Sequence, residues 1–228
     1  MDLSIIIPAY LEEENLRILL PRINDIIPEL GIKAEILVID TMAPMDNTKN
    51  VCLKNNAVYI NRENGNVYGD AVRTGIKNAH GKYFIFMDAD GSHSPEFIKN
   101  LYENRTDYDV IIASRYVEGG KSDNSKILIF MSWIVNLIYA VLFRLKCKDV
   151  SNSFKLYKSD QLKKLTLKCS NFDVVEEILI KLKKINKNLS IKELPYTFKE
   201  RMFGHTKRNL IKFVFSYIFT LFKLKFFV

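Results

Sequence analysis

Two kinds of apolar pattern alternate along the first half of the chain. Short runs at Leu3 to Ile7, Glu35 to Ile39, Ala57 to Ile60, Tyr83 to Met87 and Asp109 to Ala113 predict strands. Between them the period changes. From Glu12 to Leu30 the apolar positions are Leu16, Leu19, Leu20, Ile23, Ile26, Ile27 and Leu30, the spacing of one helix face. Glu12, Glu13 and Glu14 open that segment, where acidic groups complement the helix dipole. A second helix is predicted from Tyr68 to Ala79. Strands that alternate with helices build a mostly parallel sheet with helices on both faces. The ligand site of such a sheet lies at the carboxyl ends of its strands, where Asp40 and Asp88 both stand.

The pattern changes near Lys126. Ile127 to Phe143 carries no charge and is closed by Arg144, Lys146 and Lys148. It is shorter than the ~20 apolar residues a bilayer span needs, and it contains Ser132 and Asn136, so an interfacial or buried helix is expected. Residues 154–200 return to mixed patterning, with a helix predicted from Val174 to Lys187 and a strand from Ser190 to Pro195. Leu210 to Val228 is apolar and aromatic again, broken by Lys212, Lys223 and Lys225, and reads as a membrane-lying or partner-binding tail. The expected division is a domain over residues 1–209, including the apolar helix near 127–143, and a tail over 210–228.

Composition narrows the class. With 228 residues, 48% of them hydrophobic and 26% charged, the chain can bury a sizeable core, which excludes disorder and collagen-like architecture. Its three cysteines, at 52, 147 and 169, form no disulfide framework or close metal-ligand pair and suggest a reducing compartment. No basic segment precedes Leu3, so no secretion is expected. A formal charge of +8 favours an anionic partner: nucleic acid, phosphorylated substrate or membrane surface.

The candidate chemistry begins at Tyr83-Phe84-Ile85-Phe86-Met87-Asp88-Ala89-Asp90, a hydrophobic strand ending in two carboxylates one residue apart. Such a pair suits a hard divalent cation shared with phosphate oxygens, Mg²⁺ or Mn²⁺, with His93 within reach. The plainer alternative is that Asp90 and Ser92 cap a helix starting near Pro95. Glycines 65, 69 and 75 do not have the Gly-x-Gly-x-x-Gly spacing of a dinucleotide fingerprint and are expected to serve helix entry and close packing.

The carboxylate pair has company in the sequence. Ile5-Ile6-Ile7-Pro8-Ala9-Tyr10-Leu11-Glu12-Glu13-Glu14-Asn15-Leu16, Ile39-Asp40, Asp88-Ala89-Asp90, Ser114-Arg115-Tyr116 with Gly119-Gly120, Asp149 to Phe154 and Arg201-Met202-Phe203-Gly204-His205-Thr206-Lys207 follow one another in the order and approximate spacing of family 2 glycosyltransferases. Within that family the chain most resembles the polyprenyl-phosphate (dolichyl-phosphate) mannose synthases. The resemblance implies a nucleotide-sugar-binding α/β domain of the GT-A type and inverting transfer of a hexose, mannose above others, from a nucleotide-diphosphate sugar such as GDP-mannose to a polyprenyl phosphate. It implies that Pro8, Tyr10, Glu12, Asp40, Asp88 and Ala89 bind the nucleotide sugar and that Asp88, Asp90 and His93 hold the metal, His93 standing where the synthases often have Gln. Asp90, Arg115, Arg201 and Lys207 become the catalytic groups, with Arg208 adding charge. Two departures lie on the base-recognition side: the family's Tyr-Asn-Glu is here Tyr10-Leu11-Glu12, and its Asp-Asp is Asp40-Thr41.

An acceptor that is already an anionic phosphate needs no general base, whereas a hydroxyl acceptor does. The competing reading, transfer to a glycan or small-molecule hydroxyl, would use Glu177 or Asp149 as base, although Glu176 and Glu177 are also explained as first-turn charges of their helix. A reading of another class, a nonenzymatic nucleic-acid-binding domain, rests on charge alone and has no recognisable motif, so nucleic acid is not expected as a partner. The expected location is the cytoplasmic face of a membrane, with the two apolar segments resting on lipid.

Overall fold

The computed structural model describes residues 1–204 and 220–226. The elements run β1 (Leu3–Pro8), α1 (Glu13–Glu29), β2 (Ala34–Asp40), α2 (Thr48–Lys54), β3 (Val58–Asn61), α3 (Tyr68–Asn78), β4 (Tyr83–Phe86), α4 (Phe97–Glu103), β5 (Val110–Ser114), β6 (Lys121–Ser122), α5 (Lys126–Phe143), β7 (Lys155–Lys158), α6 (Ser159–Leu162), α7 (Val174–Ile185), β8 (Ile191–Pro195) and β9 (Thr197–Phe198). Seven strands form one sheet in the order β3-β2-β1-β4-β7-β5-β8, and β6 pairs with β9 in a separate ribbon.

Successive strand residues point to opposite faces, and β1 shows the result. Its Ile6 packs with α3 and α7 on one face, while Leu3, Ile5 and Ile7 pack with α1, α2 and α4 on the other. Burial on both faces explains why the central strands read as continuous apolar runs. Gly75 lets α3 lie directly on β1, since a Cβ there would sit 2.4 Å from Ile6 Cγ2, and Gly69 admits the carbonyls of Cys169 and Ser170 at the start of the same helix.

One strand breaks the parallel pattern. β7 enters between β4 and β5 and runs antiparallel to both. Its Lys155 is fully buried, and burial pushes the ammonium down to about 8. Its Nζ donates to the carbonyls of Val150 and Asn152, which folds the preceding segment into a tight turn.

α5 is the predicted apolar helix, but it is not a core helix: only Asn136 and Tyr139 on it are buried. Ile127, Phe130 and Val141 are 71%, 59% and 70% exposed. By length and composition this helix could cross a membrane. The predicted tail falls largely outside the described residues. Residues 220–226 are helical and dock through Leu224 and through Thr220, whose Oγ1 donates to Asp173 Oδ2 at 2.8 Å. Phe222 and Phe226 face outward.

Candidate active site

The carboxyl ends of β1, β2 and β4 meet the segment that follows β9. β4 delivers Asp88 and Asp90. Asp88 accepts from Tyr68 on Oδ1 at 3.2 Å and from Ser153 on Oδ2 at 3.0 Å. Asp90 Oδ1 accepts from the Ser92 amide at 3.0 Å and hydroxyl at 2.6 Å. Burial pushes the Asp90 carboxyl up, but the Ser92 bonds and the nearby Arg201 charge outweigh it and hold the group below its ordinary range. The capping alternative does not hold: α4 starts at Phe97 with Glu96 at its N-cap and no side-chain cap hydrogen bond, and Ser92 orients Asp90 instead.

Residues 199–204 cross above these carboxylates as a strap. The Lys199 amide donates to Ser92 O at 3.2 Å and the Met202 amide to Asp90 O at 2.9 Å. Gly91, at φ +83°, leaves room for Met202, which would lie 2.5 Å from a Cβ. Arg201 forks onto Glu12, with Nη2 to Oε1 at 2.8 Å and Nη1 to Oε2 at 3.1 Å, and its Nη2 lies 3.6 Å from Asp90 Oδ2. Asn15 fastens the strap's end, accepting from the Phe203 amide at 3.2 Å. Gly204 takes φ +82°, the sharp turn a glycine permits. A cavity of ≈ 260 Å³ opens beside the strap, lined by Leu11, Asn15, Asp46 and Phe203 among others. Burial raises the Glu12 carboxyl above its usual range despite the Arg201 pairing, while Glu12 keeps Arg201 firmly cationic against the effect of its own partial burial.

Pro8 and Ala89 are buried strand-end positions and Tyr10 is exposed. Asp40 is buried, its carboxyl raised by burial, and accepts from the Tyr59 hydroxyl at 2.9 Å.

Two expected site residues are placed differently from the simplest reading. His93 is fully buried with both ring nitrogens hydrogen-bonded, Nδ1 to the Asp88 amide at 2.9 Å and Nε2 to Asn152 Oδ1 at 3.1 Å, so it lies behind the carboxylates and presents no free lone pair to a metal. Arg115 is drawn into a near-buried ion pair, Nε and Nη2 reaching Asp149 at 2.8 and 2.7 Å, with Ser151 Oγ at 2.9 Å. Lys207, like Arg208, lies outside the described residues. The structure also adds Tyr68, Asn152 and Ser153. The last two sit within Asp149 to Phe154, the only signal that could have found them, and Tyr68 reads in sequence merely as the first residue of a helix.

The family model described as glycosyl transferase family 2 matches residues 4–166. The dolichol-phosphate mannosyltransferase of Pyrococcus furiosus is 32% identical across 98% of this chain, which spans 64% of that protein. The undecaprenyl-phosphate mannosyltransferase of Micrococcus luteus is 29% identical across 92% of this chain and 88% of its own. In fold, the chain is similar to glucosyl-3-phosphoglycerate synthase from Mycobacterium tuberculosis, solved with Mn²⁺ and uridine diphosphate, at a TM-score of 0.71 and 18% identity over 98% of this chain and 79% of that one.

Proposed function

The chain belongs to glycosyl transferase family 2 and has a GT-A-like fold, and on that premise we propose that it transfers a hexose, with mannose as the best match, from a nucleotide-diphosphate sugar to a polyprenyl phosphate with inversion. The observation that carries the reading is the pairing of two strand-end carboxylates with a cationic strap, in a domain whose other candidate bases are already engaged. Asp149 is fully buried against Arg115. Glu177, also fully buried, accepts from the Lys168 and Cys169 amides and pairs with Lys181 at 2.7 Å. Neither is placed to deprotonate a hydroxyl acceptor, whereas a lipid phosphate needs no base. The names of the mannosyltransferase relatives support the sugar and the acceptor class, and GDP-mannose is the donor we propose.

Asp88 and Asp90 fit a hard divalent cation, Mg²⁺ or Mn²⁺, because both offer carboxylate oxygens and, among the described residues, the hydrogen bonds to the Asp88 carboxylate come from rotatable hydroxyls. When bound, such a cation supplies neutralisation of the departing diphosphate. Arg201 supplies a second positive charge from above, exchanging Glu12 for a phosphate oxygen as the nucleotide enters. We keep Lys207 and Arg115 as further cationic groups for the two anionic substrates, Arg115 acting from within its ion pair with Asp149. Pro8, Tyr10, Glu12, Asp40 and Ala89 form the nucleotide side. α5 and the aromatic tail rest on the cytoplasmic face of a membrane, their apolar faces among acyl chains and their flanking lysines at headgroups.

The test is transfer from a panel of sugar nucleotides to a short polyprenyl phosphate, with and without Mn²⁺. Asp90→Ala is expected to lower turnover by at least ~10³-fold with the fold intact, and Arg201→Ala by ~10²-fold, since each removes charge that stabilises the leaving diphosphate. Full activity of folded Asp90→Ala protein in chelator would overturn the assignment.

A further inference from the structure

We propose that His93 and Asn152 form a positioning pair that aims the Asp88 carboxylate, acting behind the metal site instead of as metal ligands. The inference rests on the reading of Asp88 and Asp90 as the metal-binding carboxylates. Asp88 follows the last amide of this strand that reaches β1, Met87 N on Ile6 O at 3.0 Å, and its own N–H is taken by a side chain. An amide shut away from water without a partner is costly. His93 Nδ1 accepts that N–H at 2.9 Å. The bond fixes the tautomer: Nδ1 holds the lone pair, so Nε2 carries the proton and donates to Asn152 Oδ1 at 3.1 Å.

Asn152 is itself fixed on every polar atom. Its Nδ2 donates to the carbonyl of Ala113 at the end of β5, its Oδ1 also accepts from the Phe154 amide at 3.3 Å, and its own amide donates to Asp149 Oδ1 at 3.2 Å. The imidazole stacks on Phe154 with ring centres 4.7 Å apart and 14° between planes, and meets Phe198 edge-on at 5.6 Å. It has no rotamer freedom to swing toward a cation. Its closest approach to the carboxylate is Nε2 to Asp88 Oδ2 at 3.9 Å, too long for a hydrogen bond. The adjacent Ser153 donates to that same Oδ2 at 3.0 Å, so one short segment holds Asp88 both through its backbone and through its carboxylate. Groups placed this way behind a metal ligand commonly change metal affinity by about 10- to 100-fold when removed.

Two measurements on the full chain decide the matter. In ¹⁵N spectra of the wild-type imidazole, Nδ1 is expected to remain unprotonated and Nε2 protonated, with neither shift moving appreciably when Mg²⁺ and GDP or UDP are added. A coordination shift at either nitrogen would make His93 a ligand and overturn the proposal without any variant having to fold. Mn²⁺ binding in the presence of the same nucleotides, read from loss of the free-ion paramagnetic signal, is expected to weaken about tenfold or more in Asn152→Ala and equally in His93→Phe. The double variant should be no weaker than either single one, because each breaks the same connection. His93→Gln, which can both accept and donate, should recover part of the loss. Wild-type Mn²⁺ affinity in folded Asn152→Ala would reduce the pair to packing. If Asp88→Ala and Asp90→Ala also bind Mn²⁺ normally, it is the carboxylate assignment that has failed.

Discussion

At Leu11 the backbone takes φ +56°, the left-handed region that costs a residue with a Cβ ~1–2 kcal/mol and that asparagine tolerates best. The resembled family has Asn at this position of Tyr-x-Glu. The geometry gives a backbone reason for that residue, and Leu11, 44% exposed, recovers little by burial. Leu11→Asn is therefore expected to stabilise the protein by ~1 kcal/mol, raising Tm by about 2–4 °C in calorimetry. A fall in Tm would mean that Leu11 earns its place through contacts at the cavity rim. Asp109 makes the opposite kind of contribution. It accepts from the amide and hydroxyl of Ser190, from Gln161 and from Lys158, and although burial opposes the shift, these bonds bring its carboxyl from the ordinary 3.8 to about 2. The stabilisation is complete above the unfolded value and is lost as pH falls from about 3.8 toward 2. With solvent screening it amounts to about 1–2 kcal/mol. Acid titration of stability should show this loss in wild type, and Asp109→Asn should flatten the curve over that window.

Among the elements, α5 divides its functions by face. Asn136 holds the helix to the domain, accepting from the Ser151 amide at 2.8 Å and donating to Ser151 Oγ at 3.0 Å, while Ile127, Phe130 and Val141 point away. Replacing those three by Ser should leave Tm within ~1 °C, because exposed side chains contribute little to the fold, yet reduce flotation with anionic liposomes by tenfold or more. Unchanged flotation would remove α5 from the membrane contact. The apolar character of this helix was legible in its sequence, but its exposure was not, since a run of apolar residues reads alike in a core and at an interface. The strands at Leu3, Glu35 and Tyr83 and the helices at Glu12 and Tyr68 were legible because burial on fixed faces imposes a period. β7 was not: it is four residues long, begins and ends in lysine, and its polar first residue is buried by carbonyl contacts that no periodicity records. The site divides the same way. Asp88, Asp90, Glu12 and Arg201 stand at strand ends or in the strap, and the structure brings them together. The engagement of His93 and Arg115 depends on Asn152 and Asp149, partners far away in sequence, and motif order says nothing about which polar atoms are already satisfied.

Across the whole molecule, the late arrival of β7 governs how the chain can be made. β4 pairs with β1 on one side, and its other edge is filled only by β7. β5, too, reaches the rest of the sheet only through β7. On a ribosome adding ~5–20 residues per second, the Tyr83–Phe86 edge waits on the order of several seconds before residues 155–158 emerge. An apolar, unpaired edge is the surface on which strands of other chains add. A nascent chain halted at residue 150 should therefore bind holdase chaperones and show no protection from hydrogen exchange in β5, whereas one long enough to expose residue 200 should release them. The carboxylates that follow β4 would mature in that same closing step, since Ser153 and Asn152 arrive just ahead of the strand that seals the sheet.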